Sequence, residues 1–429
     1  MYSIKILITG LLIGHCGSLL SCPSFLYADE IGKFTVGKNR KNLRLFSYNS
    51  QSRGWKSIPI QVDPVDDDGK LMFFDENPNS IDGIFGKFDR MAFHVDDFGE
   101  KYLQNQVFPC SSNEAIELSP LFGEKKYGYL AVCDDQESPK LNSIHPIHHE
   151  SSSRTVVSKI YKYEYEESNH FMFRRISMAF NNRDDHNILI SEFADQLIRG
   201  DFKNFFSMDF DADDIDAYII NERTGPIGLL GRLTFYLKIL FLKIDLRLMP
   251  EVNFFPHSIF MPMIMQLPID ARDYLHPGSG LYYTWKPGRH VHWDMDNAKM
   301  PRVDAKKIIK GSKALAQLGL AYCEDEECQY SFSGDTGLRK FNLQFVLARD
   351  LVEQGFFPML IDNNLKLQDE LGWAMSHYSD AGRVGVYFEA SGLPEGGHGW
   401  QFWIRLQKTD EDLSSYCPEP LRIGRKISL

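Results

Sequence analysis

From Leu242 to Leu248 the chain reads Leu-Lys-Ile-Asp-Leu-Arg-Leu, apolar and charged residues alternating without a slip. Successive side chains on an extended backbone point to opposite faces, so this pattern describes a strand with one dry and one wet face. The alternation extends backward through Phe235, Leu237 and Ile239 toward the Gly225-Pro226 turn, which predicts one unusually long or bent strand. Short apolar stretches separated by turn chemistry fill the N-terminal part as well: Ile58–Val62, Leu71–Phe74, Met91–Val95 and Tyr127–Val132. Asp66-Asp67-Asp68-Gly69 and Asn77-Pro78-Asn79-Ser80 lie between them, residues that tight turns select. Near the end, Val384, Val386 and Phe388, then Trp400, Phe402 and Ile404, alternate on either side of a turn at Leu393-Pro394-Glu395-Gly396-Gly397. The fold class that follows is mainly β: β-sandwich-like domains with one or two short helices. Asp304–Leu318, closed by Gly319, is the best helix candidate, and Asn342–Gln354 suits either a helix or a strand.

A chain of 429 residues exceeds the roughly 250 to 300 at which one hydrophobic core stops growing. Residues 134–154 are polar, rich in Ser, His and Pro, and without periodicity, which marks a boundary. The expected division is an N-terminal β domain over 29–135, a loop or linker over 136–154, and a larger β-rich domain over 155–429.

The N-terminus reads as a secretory signal: Lys5 gives a short positive region and Ile6–Leu20 a nearly unbroken apolar run. That run falls short of the about 20 residues a membrane span needs, and no other stretch resembles one, so no transmembrane span is expected in the mature protein. Two processing points present themselves. Cleavage after Ala28 would remove 1–28, whereas Leu19-Leu20-Ser21-Cys22 resembles a lipoprotein box that would remove 1–21 and leave a lipid on Cys22. Either route predicts a periplasmic or outer-membrane-associated protein, with a cell-envelope component, glycan or lipid as partner. The net charge of -11 and the absence of a basic patch exclude nucleic acid as a class of partner.

Beyond the signal, Cys110, Cys133, Cys323, Cys328 and Cys417 remain. In an oxidising compartment Cys323 and Cys328 can close a small acidic loop, Cys110 and Cys133 can tie neighbouring strands, and Cys417 is left over.

Four stretches carry ligand chemistry on paper. In Arg289–Asp296 a strand would set His290, His292, Asp294 and Asp296 on one face, and two imidazoles so placed can reach one divalent transition metal of the zinc or manganese kind. An amphipathic strand with a wet face gives the same spacing. Asp75, Asn77, Asn79 and Asp82 resemble the opening of a calcium loop, although Ser80 and Gly86 depart from the full pattern; a plain surface turn explains them equally. Asp209, Asp211, Asp213, Asp214 and Asp216 include carboxylates of the kind sugar chemistry uses, or form a solvated turn. His145–Glu150 is rich in ligating atoms but falls in the expected linker. A different chemistry belongs to Phe254–Pro268, apolar and Met-rich but interrupted by Pro256, Pro262 and Pro268: either a buried strand pair, or an apolar surface for a lipid, an acyl chain or a protein.

Ile58-Pro59-Ile60-Gln61-Val62-Asp63, followed by Asp66–Gly69 and Phe88–Phe93, resembles an N-terminal module of uncharacterised exported proteins of Gram-negative bacteria. Gly225-Pro226 and Pro250-Glu251-Val252 resemble the same group. The resemblance implies export and β architecture, and no chemistry.

The functional expectation is an exported envelope protein, a non-catalytic ligand-binding or assembly module. The alternatives are a polysaccharide-active hydrolase or lyase with a β-sandwich cleft and carbohydrate-binding aromatics, and a carrier of lipid or another apolar ligand. They part on structure: an enzyme needs converging carboxylates or histidines, a carrier an apolar cavity under the Met-rich segment, an assembly module a broad apolar patch.

Overall fold

A computed structural model describes residues 23–66, 71–73, 83–102, 107–112, 114–120, 125–133, 146–179, 188–204, 206–239, 242–245, 250–303, 305–361, 384–408 and 421–428. Cys22, Cys417 and the calcium-loop candidates Asp75, Asn77, Asn79 and Asp82 lie outside the described residues.

The fold is mainly β, with two large sheets stacked as a sandwich and two smaller ones forming the N-terminal domain. The first sandwich sheet runs, in spatial order, Pro358–Ile361, Val384–Glu389, Gly280–Pro287, Ile188–Asp201, Phe173–Met178, Tyr161–Tyr165, Thr155–Ser158 and Ile147–Glu150. The second runs Ile215–Thr224, Leu229–Ile239, Glu251–Phe255, Ser258–Leu267, Gly396–Lys408, Arg339–Ala348, Glu327–Asp335 and His292–Lys299. Period two decides which side chains meet between them. In Glu327–Asp335 it is Cys328, Tyr330 and Phe332 that are buried in the shared core. In Ser258–Leu267 the odd positions Ile259, Met261, Met263, Met265 and Leu267 turn inward, while Phe260 turns outward toward the N-terminal domain. Pro262 sits beyond the pairing of that strand with Glu251–Phe255, where a described neighbour flanks one side only and a missing N–H is tolerated.

In the N-terminal domain a three-stranded sheet (Ser24–Tyr27, Arg90–Phe93, Gln61–Asp63) packs with a five-stranded one ordered Leu421–Ser428, Glu114–Pro120, Gly128–Val132, Leu43–Asn49, Gly54–Ile58. This domain rests on the outer face of the second sandwich sheet. Phe25, Leu71, Phe73 and Ala92 meet Ile227, Leu230, Phe255, Phe260 and Trp403 there.

Several expectations need correction. The expected linker 136–154 includes the strand Ile147–Glu150, which pairs with Thr155–Ser158 and buries Ile147; the polar residues around it hide a hairpin at the sheet edge. The C-terminal strand Leu421–Ser428 pairs with Glu114–Pro120, so the N-terminal domain draws a strand from the far end of 155–429. The expected long strand is a hairpin: Leu229–Ile239 turns back onto Leu242–Asp245, pairing Ile239 with Leu242 and Leu237 with Ile244. The expected helix over Asp304–Leu318 is two, Ala305–Ile309 and Ser312–Gly319, separated at Gly311, whose φ of 85° breaks the helical path. Arg339–Ala348 is a strand that passes into the short helix Arg349–Glu353. No helix among the described residues is long and apolar enough to cross a membrane.

Candidate functional site

Where the two sandwich sheets face each other, their large side chains leave a slot. Phe173, Tyr283 and Trp285 line it from the first sheet, Met261, Met263 and Trp400 from the second. Its cavity volume is about 20 Å³, and it opens in part to solvent. That volume admits about one water, yet the walls offer water few partners. The slot exists because rings stack flat and do not interdigitate: Phe345 lies on Phe402 with centroids 4.8 Å apart, and Trp285 on Phe402 at 6.2 Å. Methionine adds unbranched, adaptable chains to one wall. Of the six residues named, only Tyr283 is ionisable, and burial pushes its phenol far above the ordinary range, so the slot stays uncharged.

A second concentration of chemistry lies where the N-terminal domain meets the sandwich, and it is polar. Gln61 donates from Nε2 to Asp63 at 3.0 Å, and its Oε1 accepts from the backbone N–H groups of Ile227 and Gly228 at 3.2 and 3.0 Å. Asp63, fully buried, pairs with Arg90 at 3.1 Å. Arg223 donates to the carbonyl of Val62 at 2.8 Å, Leu71 N–H to Glu251 at 3.0 Å, and Arg232 to the carbonyl of Leu71. A Cβ on Gly225 would stand 2.2 Å from the Gln61 oxygen, so any larger residue must push the Gln61 carboxamide out of its place. Burial works against the charge on Arg90, but Asp63 and Glu251 outweigh it and raise its pKa. Burial raises the carboxyl of Glu251 against the pull of Arg90 and Arg232. The stretch Ile58–Asp63 thus meets the turn at Gly225-Pro226 through Gln61, which Asp63 orients.

The residues singled out in the sequence are distributed as follows. His292 and Asp294 lie exposed on the edge strand His292–Lys299, with His290 in the turn before it, while Trp293 and Met295 pack inward. Asp294 accepts from Asn297 and Asp296 pairs with Arg302 at 3.2 Å. Among the described residues no three His, Cys, Asp or Glu side chains come together as a metal-binding group. In the acidic run Asp211 and Asp214 cap a single turn, and Asp216 pairs with Lys238 at 3.1 Å and Lys243 at 2.8 Å. Burial works against ionisation of Asp216, but the two ammonium groups prevail and lower its pKa. His149 bridges the sheets, bonding Tyr165 OH at 2.7 Å through Nε2 and Glu222 through Nδ1. Sulfur–sulfur bonds join Cys110 to Cys133 and Cys323 to Cys328.

One buried carboxyl had no sequence signal. Glu389, at the end of Val384–Glu389, accepts from Gly278 N–H (2.9 Å), Tyr387 OH (2.6 Å) and Ser391 N–H (3.0 Å). Burial raises its pKa despite these donors.

No protein-family model matches this chain, and no curated protein matches it. Among solved structures, a glycosyl hydrolase family 38 protein from Enterococcus faecalis aligns over 91% of this chain and 43% of its own, at 7% identity and a TM-score of 0.41. An α-mannosidase from Enterococcus faecalis aligns over 95% of this chain and 46% of its own, at 9% identity and 0.39. The Slr1438 protein from Synechocystis sp. PCC 6803 aligns over 71% of this chain and 99% of its own, at 10% identity and 0.30. This chain spans less than half the length of the first two, and likeness this loose carries no argument about activity.

Proposed function

We propose that this chain is an exported, non-catalytic binding protein whose ligand is a small, thin apolar molecule held between the two sandwich sheets. The observation that carries the reading is the uncharged slot under the Met-rich strand, with Met261 and Met263 in its wall. At about 20 Å³ the cavity is far smaller than the roughly 300 to 1,000 Å³ that ligand pockets occupy, so a ligand enters only as the methionine side chains of the wall move aside. A single alkyl chain or one aromatic ring suits it, once the methionine side chains yield. Burial of apolar ligand surface contributes about 25 cal/mol per Å², so even a short chain gains several kcal/mol of contact before the costs of ordering.

Titration of the purified protein with straight-chain fatty acids of increasing length and with small aromatic probes, read by tryptophan emission, tests this. Trp285 and Trp400 stand in the wall and should report saturable binding that Met263→Trp abolishes by filling the slot. Binding or cleavage of oligosaccharides with no response to any apolar compound would sink the reading.

A further inference from the structure

The sequence offers two processing points, before Cys22 and after Ala28, and seven residues lie between the two cuts. The described residues of that interval are built into the fold. Ser24–Tyr27 pairs residue by residue with Arg90–Phe93, from Ser24 opposite Phe93 to Tyr27 opposite Arg90. Ser24 and Ala28 are fully buried and Leu26 is 1% exposed. Ala28 N–H donates to the carbonyl of Asp89 at 2.9 Å.

Phe25 does more than fill its own sheet. Its ring lies 6.0 Å from those of Phe255 and Phe260 and 6.3 Å from Trp403, with the guanidinium of Arg90 4.6 Å from its centroid. It therefore belongs to the seam between the N-terminal domain and the sandwich. A cut after Ala28 would take away one of the two neighbours of Arg90–Phe93 and expose the stacked pair Phe260 and Trp403. Leader residues are discarded, and a discarded segment has no reason to supply a strand register, a buried backbone hydrogen bond and a ring at a domain seam.

We propose that the mature chain begins at Cys22, that Ser24–Tyr27 is its first folded element, and that Cys22 carries a diacylglyceryl anchor. The chemistry needs a diacylglycerophospholipid as donor. The Cys22 sulfur forms a thioether bond to the glyceryl carbon, the bond from that carbon to the phosphate oxygen breaks, the phosphate ester leaves with the electron pair, and the thiol proton passes to solvent. Water then hydrolyses the Ser21–Cys22 peptide bond, leaving a carboxylate on the leader and an amine on Cys22. Pro23 alone separates the anchor from the strand. At about 3.3 to 3.6 Å per residue, that places the N-terminal domain directly against the bilayer surface. Anchoring at Cys22 does not depend on whether the slot takes a ligand.

The full-length precursor, produced in a Gram-negative cell fed an alkyne fatty acid, is read by in-gel labelling and by intact mass. The expected result is a labelled, membrane-bound protein whose polypeptide mass counts from Cys22, with Cys22→Ser unlabelled and retained as precursor. An unlabelled chain beginning at Asp29, an unlabelled chain beginning anywhere else, or an unprocessed wild-type precursor would each overturn the proposal.

Discussion

The second sandwich sheet buries both of its faces, one against the first sheet and one against the N-terminal domain, and the two seams differ in what they contain. The inner seam around the slot is rings and methionines. The outer seam sets the same kind of apolar contacts, Phe260 stacked on Trp403 at 4.2 Å, beside a buried ionic and amide network through Gln61, Asp63, Arg90 and Glu251. Buried charges that lose their partners are costly, so the outer seam has one acceptable docking position. Methionine and ring surfaces repack at small cost, so the inner seam can accept more than one filling.

The largest test of that contrast is Asp63→Ala, which strands Arg90 in the interior. It should cost about 3 to 5 kcal/mol in denaturant unfolding, and a loss below about 1 kcal/mol would mean that the pair does not hold the outer seam. Gly225→Ala should cost about 1 to 3 kcal/mol, because the added methyl must displace the Gln61 carboxamide. On the inner side, Met263→Trp should cost no more than about 1 to 3 kcal/mol while abolishing ligand binding. A large destabilisation there would mean that the slot is as tightly specified as the outer seam.

A subtler difference is readable by pH. Glu389 has a folded-state pKa raised above its ordinary value of 4.5 by burial. Its contribution to stability is therefore fully present below that ordinary value and is lost as pH rises through the raised one. Unfolding free energy measured from neutral pH down toward 4.5 should rise more in the wild type than in Glu389→Gln, and equal slopes would refute the assignment. Least of all should follow from His292→Ala: a change within about 0.5 kcal/mol, since the side chain is exposed on an edge strand.

Much of the fold was legible because period two is a local signal. The alternating Val384, Val386 and Phe388, and Trp400, Phe402 and Ile404, stand in the strands Val384–Glu389 and Gly396–Lys408. The hairpin at 239–242 was misread as one long strand, although the apolar positions change from odd (Phe235, Leu237, Ile239) to even (Leu242, Ile244) across it. Other features had no local trace. The slot assembles Phe173, Tyr283 and Trp400 from strands far apart in sequence, and no spacing rule links them. Only its methionine wall stood out beforehand. Gln61 and Asp63 were visible as a motif, but their partners Ile227, Gly228 and Arg90 are set by tertiary contact. Ile147–Glu150 was concealed by composition, since an edge strand with a wet face looks like a loop when its polar residues outnumber its apolar ones.

The pairing of Leu421–Ser428 with Glu114–Pro120 sets an order of events for a chain that emerges from its N-terminus. Leu118 and Ile423 are cross-strand neighbours, so the edge of Glu114–Pro120 stays open until Ile423, far downstream, has emerged. Closing so long a loop is slow and comes late. Until that moment the unsatisfied edge is a place where another copy, or a holding factor, can attach, and Leu421–Ser428 acts as the latch that retires it.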